Sequence, residues 1–150
     1  MKVSNWFSVE ETYASDLAAR KGINNRYPVE LENTIKNTAY NMDRVRDILG
    51  KPVIVNSWYR CPELNTLLGS KPTSQHIKGE AVDFICPRFG NPVLIARELV
   101  KEFLYLRFDQ LIYEYSWIHI SFVDPSVKPR NSVLTLLKSG SYAAGILENS

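Results

Sequence analysis

The chain contains few of the residues that build disulfide frameworks or multi-metal centres: only two of its 150 residues are cysteines and only two are histidines. Cys61 and Cys86 do not form a Cys-x-x-Cys spacing, so we expect two reduced thiols rather than a disulfide or a zinc ribbon. No run approaches the roughly 20 apolar residues of a membrane helix, and residues 1–6 lack the apolar core of a signal peptide. We therefore expect neither stable membrane insertion nor a secretion signal.

The chain also lacks a strong excess of one charge, since 18 basic and 16 acidic residues leave a formal charge of +2. This excess is too weak to predict nucleic-acid binding, although it slightly favours an anionic wall polymer or membrane surface. Hydrophobic residues make up 45% of the chain and aromatic residues 11%, which is typical of a folded domain. We expect one monomeric domain over residues 1–150, with a loosely held tail from about residue 138.

Helix signals occur at both ends of two N-terminal segments. Ser8 and Glu11 have the spacing of a capping box, which predicts a helix that ends near Lys21. Pro28 suits the first turn of a second helix, whose apolar residues recur at helical spacing as far as Leu49. A glycine follows each predicted end, as is typical of a helix C-terminus.

Short apolar segments predict the strands of the domain. The expected order is a buried strand over 52–57, a short helix over 62–68, a strand over 81–86, a helix over 91–104, and two hairpin strands over 108–113 and 117–122. A further apolar run, residues 133–137, is followed by small polar residues. Helices that precede and interleave with a few strands predict an α+β domain, with a small antiparallel sheet and flanking helices.

The two histidines lie in the two segments that carry the most chemistry. His76 precedes Gly79, where the chain can turn sharply, and Asp83 follows on a predicted strand. His119 lies on a later strand. Taken singly, a strand histidine is usually a hydrogen-bonded core residue, and an aspartate often caps a turn. Together, two histidines and one carboxylate make a three-ligand set for a catalytic zinc, which keeps its fourth position for water.

The arrangement of these residues resembles the signature of the peptidase M15 family. The matching positions are Ser74, His76, Gly79, Ala81 and Asp83, followed by Trp117 and His119. The family contains zinc D-alanyl-D-alanine carboxypeptidases, dipeptidases and bacteriophage endolysins. The resemblance implies a hedgehog-like α+β fold in which His76, Asp83 and His119 hold Zn²⁺ in a cleft on the sheet.

The resemblance also implies a substrate, the D-amino-acid-containing stem peptides of peptidoglycan, cleaved by a zinc-activated water. We expect an endolysin-like enzyme that is made in a host cytoplasm and acts on the cell wall or periplasm. Two alternatives stay open. One is a D-alanyl-D-alanine carboxypeptidase or dipeptidase, which a closed cleft would favour, whereas an open groove would favour an endopeptidase. A catalytically silent, wall-binding module would keep the zinc ligands and lack the base.

Arg60 is the expected electrophile. It ends the segment Ser57-Trp58-Tyr59-Arg60, which resembles the Ser-Gly-Tyr-Arg segment of the family, where the arginine binds substrate and stabilises the oxyanion. Trp58 stands in place of the family's glycine, and we expect it to narrow that part of the cleft. The alternative for Arg60 is a surface ion pair with an acid such as Glu63.

Glu114 is the expected general base. Many relatives have an acid three residues before the second zinc histidine, but Ser116 occupies that position here. On one regular strand Glu114 and His119 would face opposite ways, whereas a hairpin turn at residues 115–116 lets both reach the cleft. The alternative is a glutamate in a turn that faces solvent.

Three further residues are expected to bind substrate: Ser74, Gln75 and Trp117. The hydroxyl of Ser74 could hydrogen-bond a terminal carboxylate or orient a metal ligand. Trp117 could wall the substrate groove, although an aromatic residue in such a strand is as often part of the core. We expect Glu80 to be solvated and Asp109 to have a structural role.

Overall fold

The computed structural model describes residues 1–148, in which helices flank a six-stranded sheet. The helices are α1 (Asp16–Lys21), α2 (Glu32–Leu49), α3 (Pro62–Leu67), α4 (Pro92–Lys101) and α5 (Phe103–Leu106). The strands are β1 (Ile54–Ser57), β2 (Ala81–Ile85), β3 (Gln110–Tyr113), β4 (Ile118–Ser121), β5 (Ser132–Leu136) and β6 (Tyr142–Ala144). Their order across the sheet is β1-β2-β4-β3-β5-β6, and the predicted α+β class is confirmed. Within this part of the chain, no helix combines the length and apolarity that crossing a membrane requires.

The N-terminal segment contains the predicted capping box but not one continuous helix. Ser8 N donates to Glu11 Oε1 at 2.8 Å, and Glu11 N donates to Ser8 Oγ at 3.2 Å. These bonds open only a 3-10 turn, Glu10–Thr12. The chain then starts α1 at Ser15, whose extended backbone and Oγ bond to Ala18 N make it the N-cap. The expectation of one helix up to Lys21 is wrong because a second N-cap competes with the first.

Helix α2 is the long helix that the apolar spacing predicted, and it ends at Leu49, where Gly50 forms the C-cap with a φ of 67°. Its start differs from the prediction. Pro28 has an extended backbone, with ψ of 157°, and precedes a 3-10 turn over Val29–Leu31. Helix α2 therefore begins at Glu32, one turn after the proline that was expected to start it.

The hydrophobic core lies between one face of the sheet and the helices α2 and α4. The buried side chains of the middle strands include Val82, Phe84, Ile118 and Ile120, and the helices contribute Ile35, Met42, Val45, Ile95 and Leu99. Asn91 caps α4 as predicted, since its Oδ1 accepts a hydrogen bond from Leu94 N at 3.2 Å. Because side chains alternate along each strand, the residues between these apolar ones point to the opposite face.

Strand β1 is less buried than the sequence indicated. Its run of apolar residues predicted a buried strand, yet Ile54 is 48% exposed. The reason is its place in the sheet: β1 is an edge strand that pairs only with β2. The register also shifts between Val55 and Ser57, which bends the strand just before the residues that lead to the cleft.

Strands β5 and β6 enlarge the sheet beyond the small antiparallel one that was expected. Strand β5 pairs in parallel with β3, and β6 pairs with β5 in the antiparallel sense, so the sheet is mixed. Two parallel strands must be joined by a long crossover connection, so they lie far apart in the sequence. A short apolar run does not indicate which distant strand it pairs with. Residues 142–144 lie in the tail that was expected to be loosely held, and how firmly the tail is held stays a prediction.

Candidate metal centre

One row of side chains crosses the sheet on the face opposite the core. Asp83 of β2 pairs with Ser57 on one side and with His119 of β4 on the other. Ile112 of β3 lies opposite His119, and Leu134 of β5 lies opposite Ile112. Paired residues share a face of a sheet, so the register brings the carboxylate and the imidazole together. An open cleft of about 680 Å³ lies over this row.

The loop that carries His76 is fixed to helix α2 through Gly79. The Gly79 backbone has a φ of 76°, and a Cβ there would lie 2.5 Å from Ile35 Cδ1. Its carbonyl oxygen accepts hydrogen bonds from Thr38 Oγ1 at 2.8 Å and from Trp58 Nε1 at 3.3 Å. The glycine therefore provides both the turn and the close approach that bring His76 over the strand.

The three predicted ligands meet in the cleft. His76 Nε2 lies 3.3 Å from Asp83 Oδ2, and His119 Nδ1 lies 2.9 Å from Asp83 Oδ1. One ligand atom from each residue lies within 4.8 Å of the other two. Burial alone raises the pKa of Asp83, but the two histidines beside it hold that pKa well below its usual range. The carboxylate is therefore ionised, as a metal ligand must be.

The orientation of the His76 ring suits a metal ligand. Its Nδ1 lies 2.7 Å from the carbonyl oxygen of Trp58, so Nδ1 carries the proton. Burial lowers the pKa of His76 against the opposing effect of Asp83, which favours the neutral ring that a metal ligand requires. Nε2, 3.3 Å from Asp83 Oδ2, is therefore the nitrogen that could coordinate a cation together with that carboxylate. Two imidazole nitrogens and one carboxylate fit a zinc ion with one open position.

Arg60 lies beside these ligands rather than on the surface. Its Nη2 is 3.3 Å from Asp83 Oδ2, its Nε donates to Ser57 Oγ at 3.0 Å, and its side chain is 14% exposed. The acid that it pairs with is Asp83, not Glu63. Burial lowers the pKa of Arg60, whereas Asp83 and Glu114 raise it. The guanidinium thus faces the cleft next to the proposed metal.

Glu114 lines the same cleft, at the turn between β3 and β4. Its backbone N–H donates to the carbonyl oxygen of Trp117 at 3.1 Å, and Tyr115 has a φ of 61°, which closes the hairpin. Its Oε2 accepts a hydrogen bond from Trp117 Nε1 at 2.7 Å. Burial raises the pKa of Glu114, Asp83 raises it further, and His119 and Trp117 oppose them. Glu114 therefore lies in the cleft, and its role as base stays a prediction.

Trp58 does not narrow the cleft as expected. Its side chain is 1% exposed and packs in the core, where its ring meets that of Phe7 edge to face with centroids 5.8 Å apart. The indole instead holds the loop that carries His76, through the hydrogen bond that Nε1 donates to the carbonyl oxygen of Gly79. We call this loop the metal loop. In contrast, Trp117 lines the cleft and is half-buried.

Ser74 and Gln75 line the cleft, but both are also engaged within the protein. Ser74 Oγ accepts a hydrogen bond from His76 N at 3.2 Å, so it orients the metal loop. Gln75 Nε2 donates to Asp109 Oδ2 at 3.1 Å and to Glu80 Oε1 at 3.2 Å. Glu80 is thus half-buried and bonded rather than solvated, and burial raises its pKa. Substrate binding by Ser74 and Gln75 stays a prediction.

Several cleft residues were not found from the sequence: Lys71, Gln110, Arg130, Leu134 and Tyr142. Three of them belong to the C-terminal segment that forms β5 and β6 or leads into it. Arg130 pairs with Asp109, whose predicted structural role this contact supports. No sequence spacing predicts the contact between these two residues. The parallel pairing of β5 with β3 brings them together, and the sequence did not indicate that pairing.

The family model described as Peptidase M15 matches residues 5–121 of the chain. The matched segment contains the three ligands, Arg60 and Glu114, and it ends at the last residue of β4. No curated protein has a detectably similar sequence.

Proposed function

We propose that this chain, which belongs to the peptidase M15 family and is a hydrolase by that membership, is a zinc-dependent peptidase of peptidoglycan stem peptides. The observation that carries the proposal is the convergence of His76, Asp83 and His119 in one cleft with Arg60 and Glu114. Ligands alone would support only a zinc-binding module. A carboxylate and a guanidinium beside them supply the other two groups that amide hydrolysis needs.

The residues of the chain divide the chemistry between them. A bound zinc supplies Lewis acidity at the scissile carbonyl and lowers the pKa of water. Glu114 accepts the proton of the attacking water and then donates it to the departing amine nitrogen. Arg60 faces the oxygen on which negative charge develops. Ser57 fixes the guanidinium through its bond to Nε, which limits the reorganisation that the reaction requires.

The shape of the cleft supports cleavage within a peptide. It is open rather than enclosed, and Trp117 and Tyr142 line it together with the ligands. Its volume of about 680 Å³ suits several residues of an extended peptide better than a small dipeptide. We therefore propose an endolysin-like endopeptidase that acts on the cell wall, in preference to a D-alanyl-D-alanine carboxypeptidase.

Digestion of isolated peptidoglycan tests the proposal. The zinc-loaded protein should release peptide fragments whose masses identify the cleaved bond. Glu114→Gln keeps the size of the side chain and removes the base, so it should retain zinc and lose at least 100-fold in rate. Glu63→Gln, an exposed glutamate on α3, is the matched control and should retain full activity.

Other outcomes would overturn parts of the proposal. Release of terminal D-alanine alone would identify a carboxypeptidase. Zinc binding without any product would identify a silent wall-binding module. Full activity in Glu114→Gln would mean that the base lies elsewhere.

A further inference from the structure

The C-terminal segment adds a wall to the cleft that the matched family region does not contain. The match ends at residue 121, whereas Arg130, Leu134 and Tyr142 line the cleft from beyond it. Parallel pairing of β5 with β3 holds this wall beside the row of ligands. Residues on it can therefore contact substrate without belonging to the metal-binding motif.

Arg130 is the charged residue of this wall, and a buried carboxylate fixes its orientation. Its Nη2 donates to Asp109 Oδ2 at 2.7 Å, and its Nε lies 3.2 and 3.1 Å from Oδ1 and Oδ2. Its backbone N–H also donates to Asp109 Oδ1 at 2.9 Å. Gln75 supports the pair, since its Nε2 donates to Asp109 and its Oε1 lies 3.5 Å from Arg130 Nη2. These hydrogen bonds orient the guanidinium through Nε and Nη2, and none of them uses Nη1.

The two halves of this ion pair differ in exposure. The Asp109 side chain is 5% exposed, whereas that of Arg130 is 58% exposed and lines the cleft. Substrate would therefore meet the cation and not its partner. Lys71 lines the same cleft, while the carboxylate of Asp83 is already occupied by His76, His119 and Arg60.

The register of the sheet gives the position of Arg130 relative to the ligands. Its partner Asp109 lies three residues before Ile112, which pairs with His119. At about 3.3 Å per residue, this places the Arg130 end of the cleft roughly 10 Å from the row of ligands. Glu114 lies two residues beyond Ile112, towards the opposite end. A peptide extended along the cleft would place a residue about three positions from the scissile bond beside Arg130.

We propose that Arg130 binds a carboxylate of the substrate about three residues from the scissile amide, and that it makes the enzyme selective for acidic peptides. The inference rests on the proposed peptidase function. A guanidinium that is held on one edge still offers hydrogen-bond donors to a carboxylate on the other, a geometry that a lysine ammonium cannot reproduce.

A pair of stem pentapeptides tests this proposal, one with a free D-glutamate α-carboxylate and one with that carboxyl as its amide. Calorimetry measures their binding to zinc-loaded Glu114→Gln protein, so that no hydrolysis interferes. The acidic peptide should bind about tenfold more tightly, near the lower limit for a charge-assisted bond, because the guanidinium is exposed to water. Equal affinity for the two peptides would overturn the proposal.

Variants made in the Glu114→Gln protein assign that preference to a residue. Arg130→Gln should reduce the affinity ratio to near one, and a ratio that persists would exclude Arg130. Arg130→Gln could fail to fold because Asp109 loses its ion-pair partner. In that case Arg130→Lys, which keeps a positive charge beside Asp109, replaces it and should still lower the ratio severalfold. Arg97→Gln is the matched control, since Arg97 is an exposed arginine paired with Glu148 at 2.9 Å, and it should leave the ratio unchanged. A binding preference without any hydrolysis by the wild type would refute the peptidase function alone, and hydrolysis without the preference would refute the role of Arg130 alone.

Discussion

Replacing Trp117 by phenylalanine should shift the pH dependence of hydrolysis. Trp117 Nε1 donates a 2.7 Å hydrogen bond to Glu114 Oε2, and this bond stabilises the ionised carboxylate. Burial and the charge of Asp83 already raise the pKa of Glu114, while the indole opposes them. Phenylalanine keeps an aromatic ring in the cleft but removes the donor. The pKa of Glu114 should therefore rise further.

The size of the shift follows from the environment of Glu114. A hydrogen bond to a charged group contributes about 1.5–3 kcal/mol when it is buried. Glu114 is only half-buried, so water replaces part of the lost bond and about 1.4 kcal/mol remains, which equals about one pH unit. Glu114 must be ionised to accept a proton, so activity is lost as the pH falls through its pKa. A higher pKa moves this acidic limb to higher pH by about one unit.

The assay is kcat/KM as a function of pH for the wild type and Trp117→Phe. Trp6→Phe is the matched control, because Trp6 Nε1 makes the same kind of bond to Asp47 Oδ1 at 2.9 Å on an exposed surface. Its acidic limb should coincide with that of the wild type. An unshifted limb in Trp117→Phe, or an equal shift in Trp6→Phe, would refute the assignment of Glu114 as the base.

The remaining predictions concern the ligands, the guanidinium and the glycine of the metal loop. Elemental analysis should find about one zinc per chain, lost in His76→Ala and Asp83→Ala; an unchanged metal content would place the ligands elsewhere. Arg60→Ala should lower turnover by roughly 10²–10³-fold while zinc is retained, and Arg60→Lys should be little better; normal turnover in Arg60→Ala would leave it no role at the oxyanion. Gly79→Ala should lower the Tm by roughly 10 °C, or about 3 kcal/mol, because its Cβ would lie 2.5 Å from Ile35 Cδ1 at a φ of 76°; an unchanged melting curve would show that the loop yields freely.

The convergence of the three candidate ligands could be predicted from the sequence because these residues are rare and the turns around them are local. Only two histidines were available, and Gly79 and the turn at residues 115–116 indicated where the chain reverses. The structure brings His76, Asp83 and His119 together as the spacing suggested. Local signals of this kind are informative because they depend on a few neighbouring residues.

The wall that the C-terminal segment adds beside these ligands could not be predicted, because it depends on contacts between distant residues. Arg130 meets Asp109 across 21 positions, and β5 pairs with β3 in parallel. A run of apolar residues can indicate a strand, but it does not indicate which other strand that strand pairs with. For the same reason Trp58 was misplaced: its neighbour Phe7 lies 51 positions away, and nothing nearby in the chain showed that the ring turns into the core.

The pairing of β2 with β4 also couples the proposed metal site to correct folding. Side chains alternate between the faces of a sheet, so a slip of β4 by one residue would turn His119 into the core and Ile120 into the cleft. Such a misaligned sheet would present Asp83 without its second imidazole. Because an ion that binds only the correct alignment stabilises that alignment, a bound zinc would add to the preference for this register that the burial of Ile118 and Ile120 already gives. A zinc ion bound by these residues would then stabilise the native strand register in addition to its proposed part in catalysis.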